Sequence, residues 1–150
     1  MILPVRLYID PILSRPTLSV SDFTGLDSVA KSFIETMEAF KGVGLAAPQV
    51  GLGLNMAALS LNNKTDKIVV ANIINICYDK ERGMQTELEG CLSCPGVSIK
   101  MKRYLEVEFD YQTIYGEKKH LKLEGFNARI FQHEADHLVG KMIINNLGKF

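Results

Sequence analysis

The chain has 150 residues, 47% of them hydrophobic and 23% charged, with 17 Lys+Arg balanced by 17 Asp+Glu. That is one domain's length, with a core large enough to need no covalent staples. The composition excludes collagen, coiled-coil and disulfide-knot classes, and the zero net charge excludes a strongly basic nucleic-acid face or an acidic disordered tail. Three cysteines, Cys77, Cys91 and Cys94, are an odd number that points to a reducing compartment. Met1 to Arg6 carries no signal-peptide pattern, and no run approaches the ~18 apolar residues of a membrane span. A cytoplasmic protein without membrane association is expected.

In chain order, Pro4, Pro11 and Pro16 predict an extended, turn-rich opening. Leu26, Val29, Phe33, Met37 and Phe40 recur at steps of three or four and predict a helix over 26–40, stopped by Gly42. The next segment, 42–49 (GVGLAAPQ), is too rich in glycine and proline for a regular element to be expected. Strands are predicted over 54–61, 67–78 and 104–113, with a loop around Gly83. The apolar run 69–76 reads as a central strand, with Cys77 as a core residue. Leu105, Val107, Phe109 and Tyr111 alternate with acidic residues, the pattern of a half-buried strand, and a turn at Tyr115-Gly116 leads into a strand over 118–123. A second helix is expected from about Phe126 to Gly140. The fold class is a single α+β domain over 1–150, with antiparallel strands packed around a central helix.

The strongest chemical signal lies in that helix, in the sequence His133-Glu134-Ala-Asp-His137. Histidines at i and i+4 share one helical face and can grip one metal ion, while the intervening glutamate reaches a water at the ion's open position. This is the equipment for amide hydrolysis: the metal acidifies the water and the carboxylate takes and returns a proton. The third ligand cannot lie downstream, because residues 138–150 contain no His, Cys, Asp or Glu. A thermolysin-like or metzincin-like site is thereby excluded. Upstream candidates are His120, the cysteines and scattered carboxylates. Cys91 is the best of them, since the glycines and proline of 89–96 (EGCLSCPG) let backbone approach a ligand. The pair Cys91 and Cys94 also forms C-x-x-C. Pro95-Gly96 argues against the helix a redox pair would open, and 38 residues between Cys94 and His133 are far from finger spacing. Cys94 is expected to be a neighbour rather than a ligand.

Three segments together, 42–49 (GVGLAAPQ), 89–93 (EGCLS) and 132–138 (QHEADHL), resemble the signature motifs of the peptide deformylase family, in the family's order. Asp10-Pro11-Ile-Leu13 is similar to the family's entry segment. The family removes the formyl group from the N-terminal formyl-methionine of nascent polypeptides and releases formate. The resemblance implies Cys91, His133 and His137 as metal ligands, Glu134 as general acid/base, and the Gln49 side-chain amide with the Leu92 N–H as oxyanion donors. It points to Fe2+, with Zn2+, Ni2+ or Co2+ also suited to the ligand set. Gly42 and Gly44 would let a peptide pair along the backbone, with Gly90 a further substrate-binding residue, and Phe126, Ile130 and His133 on one helix face, closed by Val43, would form the methionine pocket.

The partners expected are formyl-methionyl peptides and a transient ribosome contact, with no nucleic acid or membrane; the chain is expected to be a monomer. Arg129, where the family usually has an apolar pocket residue, is expected to snorkel at the pocket rim. Glu89 and Arg103 resemble a bracing ion pair of the family. Ser98 and Cys94-Pro-Gly96 depart from the common bacterial pattern. Only 13 residues follow His137, so no further C-terminal helix is expected, as in compact phage-encoded members. Two other readings stand beside this one. The first is a metallopeptidase or other amidase with the same centre; the second is a non-catalytic, metal-stabilised module that grips nascent chains.

Overall fold

The structure, a computed structural model, describes residues 1–146. The last four residues of the tail expected to lack a further helix lie outside the described residues. Helix α1 spans Leu26–Ala39 and α2 spans Gly125–Leu138. Seven strands run β1 Gly44–Ala46, β2 Met56–Leu61, β3 Asp66–Tyr78, β4 Met84–Cys91, β5 Cys94–Tyr104, β6 Glu106–Gln112 and β7 Lys118–Glu124. Five of them form an antiparallel sheet in the order β1-β2-β3-β6-β7, and β4 and β5 form a separate hairpin. The α+β class with antiparallel strands around α2 is the architecture expected.

The sheet lies between the helices. Ala57, Leu59 and Leu61 of β2 pack with Val107, Phe109, Ile130 and Phe131 on the α2 side. Met56 and Ala58 point the other way, into a cluster with Phe33 and Met37 of α1. A strand covered on both faces needs no polar alternation, which is why β2 reads as an almost unbroken apolar run. Phe109 and Phe131 stack at 3.8 Å between centroids and tie the sheet to α2. Gly140 ends the last turn of α2 in the left-handed region (φ 79°), and a Cβ there would meet the Ser14 carbonyl at 2.8 Å.

Three local expectations are corrected. Segment 42–49 is not wholly irregular: it holds β1 and a 3-10 turn at Ala47–Val50, because β2 supplies the hydrogen bonds its own composition does not favour. Residues 84–104 fold as the β4–β5 hairpin, whose inner face sets the buried Glu89–Arg103 pair beside apolar Ile99 and Met101. Cys77 is exposed rather than core. The central strand β3 shifts register twice against β6, with Asn72 and Asn75 at φ 49° and 55°. Such bulges bend a strand and re-aim the side chains beyond them. Asn72 is held there by exchanging hydrogen bonds with the Val20 backbone at 2.7 and 2.8 Å.

Candidate active site

The β4–β5 hairpin and α2 converge on one point. Leu92 and Ser93 form the turn, so Cys91 and Cys94 are its last cross-strand pair. On α2, His133 and His137 sit one turn apart with ring centroids at 5.1 Å. The Cys91 sulfur and one nitrogen of each histidine all lie within 4.8 Å of one another, and Cys91 Sγ is 3.4 Å from His137 Nε2. Ligand atoms ~2.0–2.3 Å from a tetrahedral ion lie about 3.5 Å apart, so this spacing fits a shared ion. The polar atoms around it fit as well. His137 Nδ1 and Glu134 Oε1 are buried without a partner among the described residues. Burial holds His137 well below its usual range as a base, leaving it a neutral ligand.

Cys94 borders the cleft beside Cys91 but is not one of the three converging ligands, and it packs against Leu13 and Met142. Burial, with the neighbouring Cys91 sulfur, pushes its thiol up to about 11, so it stays protonated. Glu134 is buried against β1: a Cβ on Gly44 would stand 2.7 Å from its carboxylate carbon. Only glycine allows that approach. Burial pushes the Glu134 carboxyl up to about 7.

Gln49 is fixed from both ends. Its Oε1 accepts from the Ala46 N–H at 2.9 Å, and its Nε2 donates to Ser93 Oγ at 3.2 Å and to Cys91 Sγ at 3.6 Å. The Ala46 donor settles which end of the amide is oxygen, so the NH2 faces the cluster. Ser93, fully buried, was not singled out by the sequence; its place in the turn after Cys91 was the available signal. A cleft of 540 Å³ opens above these groups, lined by Val43, Gly44, Gly90, Phe126 and Ile130, together with Gln49, Cys91, Leu92 and His133.

Below the cluster lies a charged brace. Arg103 donates to both oxygens of Glu89 at 2.9 and 3.0 Å and reaches Asp136 at 2.6 Å. His133 Nδ1 lies 3.0 Å from Glu89 Oε1, which aims its other nitrogen at the cluster. Burial opposes charge on Glu89, but His133 and Arg103 overcome it and hold the carboxyl at about 2. Arg129 corrects the expectation of a rim residue. It is 7% exposed and donates to Glu89 at 2.6 Å and to the carbonyls of Met101 and Gln85 at 2.9 and 2.5 Å. A carboxylate and two inward carbonyls supply what solvent would have given it.

These features bear on relatedness. The family model for polypeptide deformylase matches residues 2–150. The chain belongs to the peptide deformylase family. It is 39% identical to the peptide deformylase of Thermus thermophilus over 99% of this chain and 84% of that protein. It is 37% identical to that of Thermotoga neapolitana over 95% and 85%. The crystal structure of the Thermus thermophilus enzyme superposes with a TM-score of 0.91 at 41% identity, covering 99% of this chain and 87% of that one. That of Thermotoga maritima superposes at 0.90 and 35%, covering 97% of each. The chain is a metal-dependent hydrolase of the N-formyl amide of nascent peptides. Among the described residues no helix is long and apolar enough to cross a membrane.

Proposed function

We propose that deformylation runs on six residues of this chain. Cys91, His133 and His137 hold one divalent ion, Glu134 handles the proton, and the Gln49 amide with the Leu92 N–H receives the charge growing on the formyl oxygen. The observation that carries the reading is the convergence of one sulfur and two imidazoles beside a buried carboxylate that has an unpartnered oxygen. The bound ion supplies Lewis acidity, lowering the pKa of a water and polarising the formyl group. Glu134, held against Gly44, takes a proton from the attacking water and returns it to the leaving amine. Gln49 is held in place through Ala46 and Ser93, and its N–H on Cys91 Sγ, a long contact at 3.6 Å, is the one that passes to the formyl oxygen; one such donor is worth ~2.7–4 kcal/mol.

The free edge at Val43 and the start of β1, Gly44, lining the cleft with Gly90, accepts the peptide as an added strand. Main-chain pairing reads no side chains, which suits an enzyme of many nascent chains. Phe126 and Ile130 flank the methionine side chain. The metal is Fe2+ and the setting the cytosol, bacterial or that of a phage-infected host, with the chain a monomer in transient contact with the ribosome. Metal analysis of anaerobically purified protein checks the first of these. Replacing Glu134 with Gln should leave metal content unchanged and nearly abolish formate release; undiminished turnover would refute its role. Formyl-, acetyl- and unblocked methionyl peptides separate this reading from a general amidase, which would also cleave the acetyl substrate.

A further inference from the structure

A hollow of 210 Å³ adjoins the cleft, lined by Lys41, Lys64, Lys67, Glu38, Gly42 and Ser60 among others. Lys41 and Gly42 border both spaces, so the hollow opens directly off the peptide-binding segment. Its charge is unbalanced. Glu38 pairs with Lys67 at 2.7 Å, while Lys41 and Lys64 make no ion pair among the described residues. Ser60 is 2% exposed, and its hydroxyl has no partner among the described residues, although its N–H donates to the Val43 carbonyl at 2.8 Å. A buried hydroxyl left unpaired beside two free ammonium groups is short of an acceptor.

The direction of the substrate follows from burial. On the deformylase reading its formyl end lies beside Glu134, which packs against Gly44. Residues 44–49 are buried, Val43 and Gly42 are half-buried and Lys41 is exposed, so the peptide leaves towards Lys41. An extended chain advances ~3.3 Å per residue, which brings its third or fourth residue beside the hollow.

We infer that this hollow is a subsite for a carboxylate side chain at the third or fourth residue of the nascent peptide, an inference that rests on the deformylase reading of the adjoining cleft. The carboxylate sits between Lys41 and Lys64 and accepts the Ser60 hydroxyl. Glu38 on the wall favours a single carboxylate over a polyanion.

The test compares kcat/KM for formyl-methionyl tetrapeptides carrying Glu or Gln at the second, third or fourth position. At low salt, Glu should exceed Gln by about two- to fivefold at the third or fourth position only, and the difference should vanish at high salt. Lys64→Gln should reduce that ratio and Lys64→Glu should invert it, with turnover of the Gln peptides unchanged. Equal rates for Glu and Gln, or a preference indifferent to Lys64, would overturn the subsite while leaving deformylation intact. No formate from any peptide would overturn the underlying reading, and the subsite with it.

Discussion

Glu134 shows how much a single residue depends on one neighbour. Its carboxylate occupies the space that a side chain on Gly44 would take. Gly44→Ala should therefore displace the carboxylate and lower kcat by about 10²-fold, since a shift near 1 Å in a reacting group costs roughly that much. Metal content, set by residues of other elements, should be unchanged. Kinetics and elemental analysis on one preparation check both. At this scale the sequence was most legible where chemistry and spacing coincide. His133, Glu134 and His137 are local to one helix, so their shared face follows from helical geometry alone. Arg129 was not legible, because a buried guanidinium is stable only with a partner, and Glu89 is 40 residues away.

Between elements, the brace around Glu89 joins the β4–β5 hairpin to α2. One carboxylate receives Arg103, Arg129 and His133, all nearly buried. Glu89→Gln would leave buried guanidinium charge uncompensated, and breaking a buried pair costs about 3–5 kcal/mol. Urea unfolding should show that loss, and metal should be held less tightly as His133 loses its anchor. This brace also explains why the hairpin escaped prediction. Strand signals look for apolar alternation on the inner face, which β5 carries at Ile99 and Met101 while β4 sets Glu89 and Glu87 opposite them.

The outward face of β6 and β7 behaves differently. His120 lies between Asp110 at 2.6 Å and Glu108 at 3.1 Å, and hydrogen bonds to these carboxylates raise its pKa above 6.5. The interaction is fully present below pH 6.5 and is lost as pH rises through the higher folded value. An NMR titration should place the His120 midpoint above 6.5, and Asp110→Asn should lower it. Because the group is exposed, salt should weaken the effect.

For the whole molecule, α1 and α2 clamp a sheet whose edge strand β1 faces the cleft, and the hairpin delivers a sulfur to the histidine face of α2. The class and both helices were legible because their apolar periodicities are long and regular. Segment 42–49 and the displacement of Cys77 were not, since one depends on pairing with β2 and the other on bulges fixed by Asn72 and Asn75. The account rests on how the ion is held, by one cysteine and two histidines rather than by the C-x-x-C pair. X-ray absorption of the zinc-loaded protein reads that directly. It should show a single sulfur at ~2.3 Å with nitrogen or oxygen neighbours at ~2.0–2.1 Å, unchanged by Cys94→Ser. Two sulfurs in the shell, or none, would contradict it.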